Sequence, residues 1–131
     1  MIEIDGSQGE GGGQILRSSL ALSIVTRTPL RLTNIRARRS KPGLRAQHVT
    51  CVKAAAAVGQ ADVGDIKVGT RELTFRPTAL VPGDYSFDLG TAGSTSLVLQ
   101  TILPALLTAK GPSTVSLRGG THNPMAPPFE F

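Results

Sequence analysis

The chain of 131 residues has few aromatic side chains and little sulfur: it contains no tryptophan, one tyrosine, four phenylalanines and one cysteine. So few aromatic side chains disfavour a nucleic-acid platform on which successive bases stack. The lone cysteine, Cys51, excludes an internal disulfide. The lack of a possible disulfide fits a protein of the reducing cytoplasm, where disulfides are rare.

Long apolar runs are absent as well. The longest, residues 97–107, is interrupted by Gln100, Thr101 and Pro104 and is too short to cross a bilayer. The chain starts Met-Ile-Glu-Ile-Asp, without the basic residues or the apolar core of a signal peptide, so we expect neither export nor a membrane partner. With 40% hydrophobic residues, a chain of this length suits one ordinary globular domain.

Positive charge is in excess, with a formal net charge of +5 and a sequence pI near 10.2. Arginine forks bind phosphate oxygens through paired hydrogen bonds, so clustered arginines favour a polyanionic partner, nucleic acid above all. The bland alternative is a solvated charged surface. The cations are concentrated in the segment RARRSKPGLRAQH, which we call the basic loop: Arg36, Arg38, Arg39, Lys41 and Arg45.

Two polar residues, Gln47 and His48, lie just inside the helix that is predicted after the basic loop. Arg45 and His48 are three residues apart and therefore share one helical face. His48 is able to donate to a phosphate or to transfer a proton. A lone helical histidine is more often structural, and both interpretations stay open here.

The glycine-rich segment GSQGEGGGQILR, residues 6–17, leads from a short strand into an apolar helix. It is not a Walker A loop, and Gln14 stands where the dinucleotide fingerprint needs its third glycine. What remains is Glu10 in a permissive loop, with Gln14 and Arg17 on one helical face. A carboxylate beside an arginine is able to bind a metal ion and a phosphate at one site. The alternative is a tight strand-to-helix turn with an ordinary surface ion pair.

Two later segments carry further candidates. In TAGSTSLVLQT, residues 91–101, Gln100 is the one long polar side chain of an apolar helix, so we expect a buried amide that bonds either backbone or a ligand. In RGGTHNPMAPPFEF, residues 118–131, the prolines predict a stiff loop with apolar faces for a base, and His122 and Asn123 are potential ligands.

The hydrophobic pattern predicts an α+β fold in which a first unit, residues 1–83, has the order strand, helix, strand, helix, strand, strand (βαβαββ). Two helices would then pack on a four-stranded sheet. The predicted strands and helices are residues 1–5, Gln14–Thr26, Leu30–Ile35, Leu44–Val58, Ile66–Val68 and Leu73–Phe75.

The pattern then starts again. A shift of 83 residues places Leu16 on Leu99, Leu20 on Leu103 and Arg17 on Gln100, so residues 84–131 are interpreted as a second, incomplete unit. An incomplete unit leaves apolar surface and strand edges uncovered. We therefore expect self-association, or another polypeptide segment, to complete it.

Taken in order, four motifs resemble the N-terminal part of the RNA 3'-terminal phosphate cyclase family, over nearly the whole chain and in the family's order and spacing. Members of that family are longer and contain repeated units of two helices on a four-stranded sheet. The motifs are GSQGEGGGQILRSSLALS, RARRSKPGLRAQHVTCVKA, GSTSLVLQTILPALL and RGGTHNPMAPPFEF.

The resemblance implies an ATP-dependent reaction assisted by a divalent metal, Mg or Mn. A histidine is adenylated, AMP passes to the 3'-phosphate of RNA, and the neighbouring 2'-hydroxyl attacks to give a 2',3'-cyclic phosphate. Activation by a good leaving group is thus followed by an intramolecular attack that gains from proximity.

The resemblance also implies roles for individual residues. Glu10 would lie near the metal and the nucleotide phosphates, with Gln14 beside it. Gln100 would contact ATP, while Asn123 and Pro127 would border the adenosine. The residues implied to bind phosphates of RNA or nucleotide are Arg17, Arg36, Arg39, Gln47 and His48.

One departure limits this interpretation, because the family's nucleophilic histidine belongs to a motif beyond Phe131. We therefore expect no catalytic residue in this chain and no adenylation of the chain alone. The alternatives are a non-catalytic relative that binds ribosomal RNA during its processing, and an enolpyruvyl-transferase-like enzyme with the same repeated units. Nucleotide binding separates the cyclase from the first of these.

Overall fold

The structure is a computed structural model that describes residues 1–8, 13–90 and 95–119, together with the backbone of residues 129 and 130. It is an α+β protein, as predicted, with its helices and strands interleaved along the chain. Within the described residues the elements are β1 (Ile2–Asp5), α1 (Gly13–Thr26), β2 (Leu30–Thr33), α2 (Ala46–Gly59), β3 (Leu73–Phe75), β4 (Asp84–Asp88), α3 (Thr95–Leu107), β5 (Thr114–Arg118) and β6 (Phe129–Glu130).

The strands form two small sheets with the same pairing pattern. In the first sheet β1 is parallel to β2, and β3 runs antiparallel to β2 with Phe75 opposite Leu30. In the second sheet β4 is parallel to β5, and β6 runs antiparallel to β5 with Phe129 opposite Val115. Parallel neighbours need a crossover connection, and α1 and α3 supply it.

The core lies between the inner faces of the sheets and the three helices, which contact one another. Alternation in the strands aims every second side chain at this core: Leu30 and Leu32 are buried, whereas Arg31 between them is exposed. In α1 the residues Leu16, Leu20 and Ile24 recur every four positions and are all buried, which is the pattern of a core-facing helix. No helix in the described ranges is both long and apolar enough to span a membrane.

The buried faces of α1 and α3 correspond at a shift of 82 residues, one fewer than predicted. Leu16, Leu20 and Ile24 of α1 match Val98, Ile102 and Leu106 of α3, and each of the six is buried. Two hydroxyls agree with this register, because Ser19 donates to the carbonyl four residues earlier and Thr101 does the same. Arg17 therefore corresponds to Leu99, and the predicted match between Arg17 and Gln100 is wrong.

The predicted strand at Ile66–Val68 is also wrong, and the first sheet has three strands within the described residues rather than four. This segment instead closes against the residues before α2. Gly69 donates its N–H to the Leu44 carbonyl, and Leu44 donates its N–H to the Thr70 carbonyl. An isolated antiparallel bridge joins Asp62 to Arg76.

The same two hydrogen bonds explain why α2 begins at Ala46 rather than at Leu44. Both backbone groups of Leu44 are used in the contact with Gly69 and Thr70, so Leu44 cannot enter the helix. Arg45 then takes the N-cap position with extended backbone angles. The division into units at residue 83 stays a prediction.

The turn before α2 depends on Gly43. Its φ is +82°, in the left-handed region, and a Cβ at this position would lie 2.5 Å from the carbonyl oxygen of Gly69. Backbone cannot move aside as a flexible side chain can. Only glycine therefore allows the chain to turn here and bring the start of α2 against residues 69–70.

We expect Gly43→Ala to lower the free energy of unfolding by about 3 kcal/mol, since it adds a backbone clash to left-handed strain. Gly64→Ala is the matched control, because Gly64 has φ +74° and nothing within 4 Å of its Cβ position. Gly64→Ala should lower the free energy of unfolding by about 1 kcal/mol, the effect of left-handed strain alone. Urea unfolding followed by circular dichroism measures both; equal losses would show that the contact with Gly69 does not matter.

Candidate anion-binding site

Helices α1 and α2 begin next to each other, and the contact point is Gly13. A Cβ on Gly13 would lie 2.8 Å from Nε2 of His48 and 2.9 Å from Nη1 of Arg17. The absence of a side chain at residue 13 therefore lets these two polar groups converge at the start of α1. We call His48 and the three arginines whose charges act on it, Arg17, Arg36 and Arg45, the cationic cluster.

Arg17 projects from the first turns of α1 with part of its guanidinium unused. Its Nη2 donates to Oε1 of Gln14 over 3.1 Å, and Gln14 in turn donates through Nε2 to Oγ of Ser18 over 3.0 Å. The Nε of Arg17 is buried and has no hydrogen-bond partner among the described residues. A buried N–H without a partner is costly and unusual in a native protein, so the described residues leave the hydrogen bonding of Arg17 incomplete.

His48 is 3% exposed and is fixed by a backbone contact at the start of α2. The N–H of Arg45 donates to Nδ1 of His48 over 2.9 Å, and this hydrogen bond satisfies one of the free donors of the helix start. Since Nδ1 accepts, a neutral imidazole must carry its proton on Nε2. The Nε2–H that faces Gly13 and Arg17 is therefore a donor.

The charge environment keeps His48 neutral. Burial lowers its pKa from 6.5 to about 4, and the positive charges of Arg36, Arg17 and Arg45 act in the same direction. No carboxylate within the described residues opposes them at His48. The cationic cluster thus combines like charges with one neutral donor, an arrangement that an anion would stabilise.

Arg36 organises the basic loop that carries it. Its Nη1 donates to the carbonyls of Lys41 over 2.8 Å and of Gly43 over 3.0 Å, and its own backbone is left-handed with φ 49°. Burial lowers the pKa of Arg36, and the charges of Arg39 and Arg45 add to this effect. One edge of the guanidinium therefore holds the loop together.

Below the cationic cluster, two side chains connect the helices. The Cys51 thiol of α2 is buried, and Thr101 of α3, whose hydroxyl donates to the Leu97 carbonyl, lies beside it. Burial raises the pKa of Cys51, while Thr101 and the charge of Arg17 lower it by less. The thiol is thus a buried structural group rather than a reactive one.

The structure brings together several of the residues that the sequence singled out, and separates others. Arg17 and Arg36 both act electrostatically on His48, and Arg39 acts on Arg36. Gln47 is exposed on α2.

Gln100 is exposed on α3, so its predicted burial is wrong; the matching residue of α1, Ser18, is exposed too. The candidates Glu10, His122, Asn123 and Pro127 lie outside the described residues.

Two parts of the site were missed. The first part is Gly13. The sequence does not distinguish it from the other glycines of its segment, yet it is the glycine that His48 of α2 approaches. The second part is the N–H of Arg45, which His48 accepts. The three-residue spacing of Arg45 and His48 could have indicated it, because this is the spacing of an N-cap residue and the N3 residue whose side chain bonds back to the cap.

The described surface also has a groove of about 290 Å³ on the outer face of the first sheet, lined by Glu3, Ile4, Asp5, Arg31 and Thr33. Two carboxylates border it, and the guanidinium of Arg31 is already paired with Glu72 at 2.7 Å. An anion would meet repulsion there. The cationic cluster is therefore the better candidate for a phosphate.

Fold and site together define an α+β protein with a cluster of arginines where two helices begin. Comparison with known proteins identifies the family: the family model described as RNA 3'-terminal phosphate cyclase matches residues 8–131. The chain belongs to the RNA 3'-terminal phosphate cyclase family.

Curated relatives agree. The chain is 59% identical over its full length to the RNA 3'-terminal phosphate cyclase of Koribacter versatilis, and it covers 37% of that protein. It is 58% identical over 99% of its length to the proteins of the same name from Ectopseudomonas mendocina and Ralstonia nicotianae, and it covers 38% of each. The chain therefore spans less than two fifths of the length of these relatives.

We expect the free energy of unfolding to fall by about 2 kcal/mol as pH drops from 6.5 to 4. His48 has a pKa of about 4 in the folded chain. The unfolded chain therefore takes up this proton first, and the stabilisation present above pH 6.5 is lost on acidification. Chemical denaturation at a series of pH values measures the effect.

His48→Asn is the matched variant for this measurement, because asparagine keeps an acceptor for the Arg45 N–H and does not titrate. Its stability should vary less over the same pH range. An unchanged slope would assign the dependence to other groups.

Proposed function

We propose that this chain is the N-terminal portion of an ATP-dependent RNA 3'-terminal phosphate cyclase and that its cationic cluster binds a phosphate group. The observation that carries the proposal is the convergence of Nη1 of Arg17 with Nε2 of His48 at Gly13, beside an Arg17 Nε that has no hydrogen-bond partner among the described residues. The relatives are RNA 3'-terminal phosphate cyclases by name, and the phosphate in that name is the kind of ligand that the cluster suits.

The chemistry of the donors favours a phosphate. A phosphate presents several strong acceptor oxygens, and the guanidinium of Arg17 and the imidazole of His48 offer N–H donors in different directions. The charges of Arg17, Arg36 and Arg45 all act on His48, and Arg45 also acts on Arg36, so a dianion would relieve this concentration of positive charge as well as accept hydrogen bonds. A phosphate therefore gains more here than at an isolated arginine.

The rest of the nucleotide and RNA site is assigned by family resemblance. Arg39 and Gln47 extend phosphate binding from the cluster toward the RNA end, and Gln14 lies beside Arg17, to which it is hydrogen-bonded. The exposed Gln100 is free to contact ATP, and Asn123 and Pro127 border the adenosine. Glu10 takes a divalent metal, Mg or Mn, with the nucleotide phosphates; the described residues contain no group of three metal-ligating side chains.

The reaction of the whole protein joins two events. ATP yields an adenylated histidine with loss of pyrophosphate, and transfer of AMP to the RNA 3'-phosphate prepares it for attack by the 2'-hydroxyl, which releases AMP. The described residues of this chain bind and orient phosphates. The histidine that accepts AMP belongs to a family motif that this sequence does not contain.

We expect the 131-residue chain to form no covalent adduct with AMP. Incubation with ATP labelled in the α-phosphate and Mg²⁺ or Mn²⁺, followed by denaturing electrophoresis, tests this. A longer relative that contains the nucleophilic histidine is the positive control. A labelled band for the short chain would contradict the proposed division of labour.

We expect Arg17→Gln to weaken the binding of inorganic phosphate at least tenfold, because one charge-assisted hydrogen bond contributes about 1.5–3 kcal/mol. Arg31→Gln removes the same charge from the outer face of the first sheet, where Arg31 is bonded to Glu72. This matched control should bind within about twofold of the original chain. Titration calorimetry at fixed ionic strength distinguishes the two; equal losses would mean that only net charge matters.

The alternative function, a non-catalytic RNA-binding relative that acts in ribosomal RNA processing, uses the same cluster for RNA phosphates. It differs in having no nucleotide site. Titration of the chain with ATP, with an RNA ending in a 3'-phosphate as the second ligand, separates the two functions. Binding of RNA without any affinity for ATP would favour the alternative.

A further inference from the structure

We propose that His48 is a positioning residue held in one neutral tautomer, so that capping of α2 and binding of the anion are two functions of a single imidazole. This inference rests on the proposed phosphate site and names the group within it that links the ligand to the fold. Its basis is the geometry of the two ring nitrogens, one used by the backbone and the other directed at Gly13.

Nδ1 of His48 is the ring nitrogen that the backbone uses. It accepts the N–H of Arg45 over 2.9 Å at the start of α2. Protonation would turn Nδ1 into a donor and place two N–H groups face to face, so a charged His48 could not cap the helix. Loss of such a cap typically costs about 1 kcal/mol, and the first turn of α2 would then lack this partner.

The other ring nitrogen of His48, Nε2, faces Gly13. It lies 2.8 Å from the point where a Cβ on Gly13 would be, and Nη1 of Arg17 lies 2.9 Å from the same point. A phosphate oxygen at the start of α1 would therefore meet a donor from each side. Because Nδ1 is occupied by Arg45, the donor from His48 is a neutral N–H and not an imidazolium.

Among the described residues, the charged groups that act on His48 all favour this neutral state. Arg17 approaches from α1, Arg36 from the basic loop and Arg45 from the N-cap, and each carries a positive charge. The thiol of Cys51, one turn further along α2, is buried beneath. A histidine in a phosphate site is usually expected to bind more tightly when it is protonated. Here the fold selects the neutral imidazole instead, because Nδ1 must accept the N–H of Arg45.

Two consequences follow. Anion binding should not draw a proton onto His48, and a bound anion should stabilise the start of α2 through the imidazole. The side chain at position 48 must supply both an acceptor for Arg45 and a donor for the anion. Glutamine meets both needs, since its amide is the usual partner of an N-cap in a capping box and also carries an N–H. Asparagine keeps the acceptor but is too short to extend the donor to Gly13.

The test uses sulfate as the probe, because it keeps two negative charges over the pH range of histidine titration. Long-range proton–nitrogen NMR correlations of the 131-residue chain report which nitrogen of His48 carries the proton. We expect a neutral ring protonated on Nε2 at neutral pH, both without sulfate and with it. A proton on Nδ1 in either state would overturn the proposal.

Calorimetry supplies the second readout. Sulfate affinity of His48→Gln should stay within about threefold of the original chain, whereas that of His48→Asn should fall about tenfold with its thermal stability retained, as expected for one lost hydrogen bond. Equal affinities for the asparagine variant and the original chain would remove His48 from the site. Absence of sulfate binding by the original chain would reject the proposed phosphate site, while the NMR result would still decide the tautomer.

Discussion

The close approach of two helix starts at Gly13 is the constraint on which the candidate site depends. Without a side chain at this position, Nε2 of His48 and Nη1 of Arg17 reach the same small volume. Either helix alone would present an isolated cation or an ordinary cap. Together they create a concentrated set of N–H donors at the positive ends of two helix dipoles. The basic loop then surrounds this volume with further positive charge.

Such an arrangement is unfavourable for the protein by itself. A buried guanidinium nitrogen without a partner and three arginines around one imidazole all reduce stability in the absence of a ligand. Sites of this kind persist when the surrounding structure over-determines them. Here the surrounding structure is the apolar layer of three helices, together with the turn at Gly43, which holds the start of α2 in place. The candidate site is thus held in place by parts of the fold that lie outside it.

Much of the fold could be predicted from the sequence, because strong periodicity fixed the helices. Leu16, Leu20 and Ile24 gave α1 its bounds to within one residue, and the α+β class followed from helices interleaved with short strands. The weaker features depended on contacts between distant residues. Ile66–Val68 has strand-like composition, yet its neighbours Gly69 and Thr70 pair with Leu44. The composition of residues 66–70 alone does not predict their pairing with Leu44.

The candidate site shows the same limit. Charge clustering was enough to single out Arg36 and Arg39, while helical spacing singled out Arg17 beside Gln14 and His48 beside Arg45. The sequence did not decide the register between α1 and α3. Leu97, Val98 and Leu99 are three adjacent apolar residues, so a shift of 82 or of 83 residues between the two helices has nearly equal support. Only burial distinguishes them, and it places Leu99, not Gln100, opposite Arg17 in the comparison of the two helices. The tautomer of His48 was beyond the sequence altogether, because it depends on a backbone donor.

The hydrogen bonds of Arg36 have a consequence for how fast and how tightly an anion binds. By holding the carbonyls of Lys41 and Gly43, this one guanidinium folds the basic loop around itself. The loop does not have to be ordered when a ligand arrives, so little conformational entropy is lost on association. A preformed patch of positive charge also attracts an anionic chain over several ångströms and accelerates its encounter, an effect that salt weakens. One arginine thereby gives up part of its own binding capacity and makes its neighbours more effective.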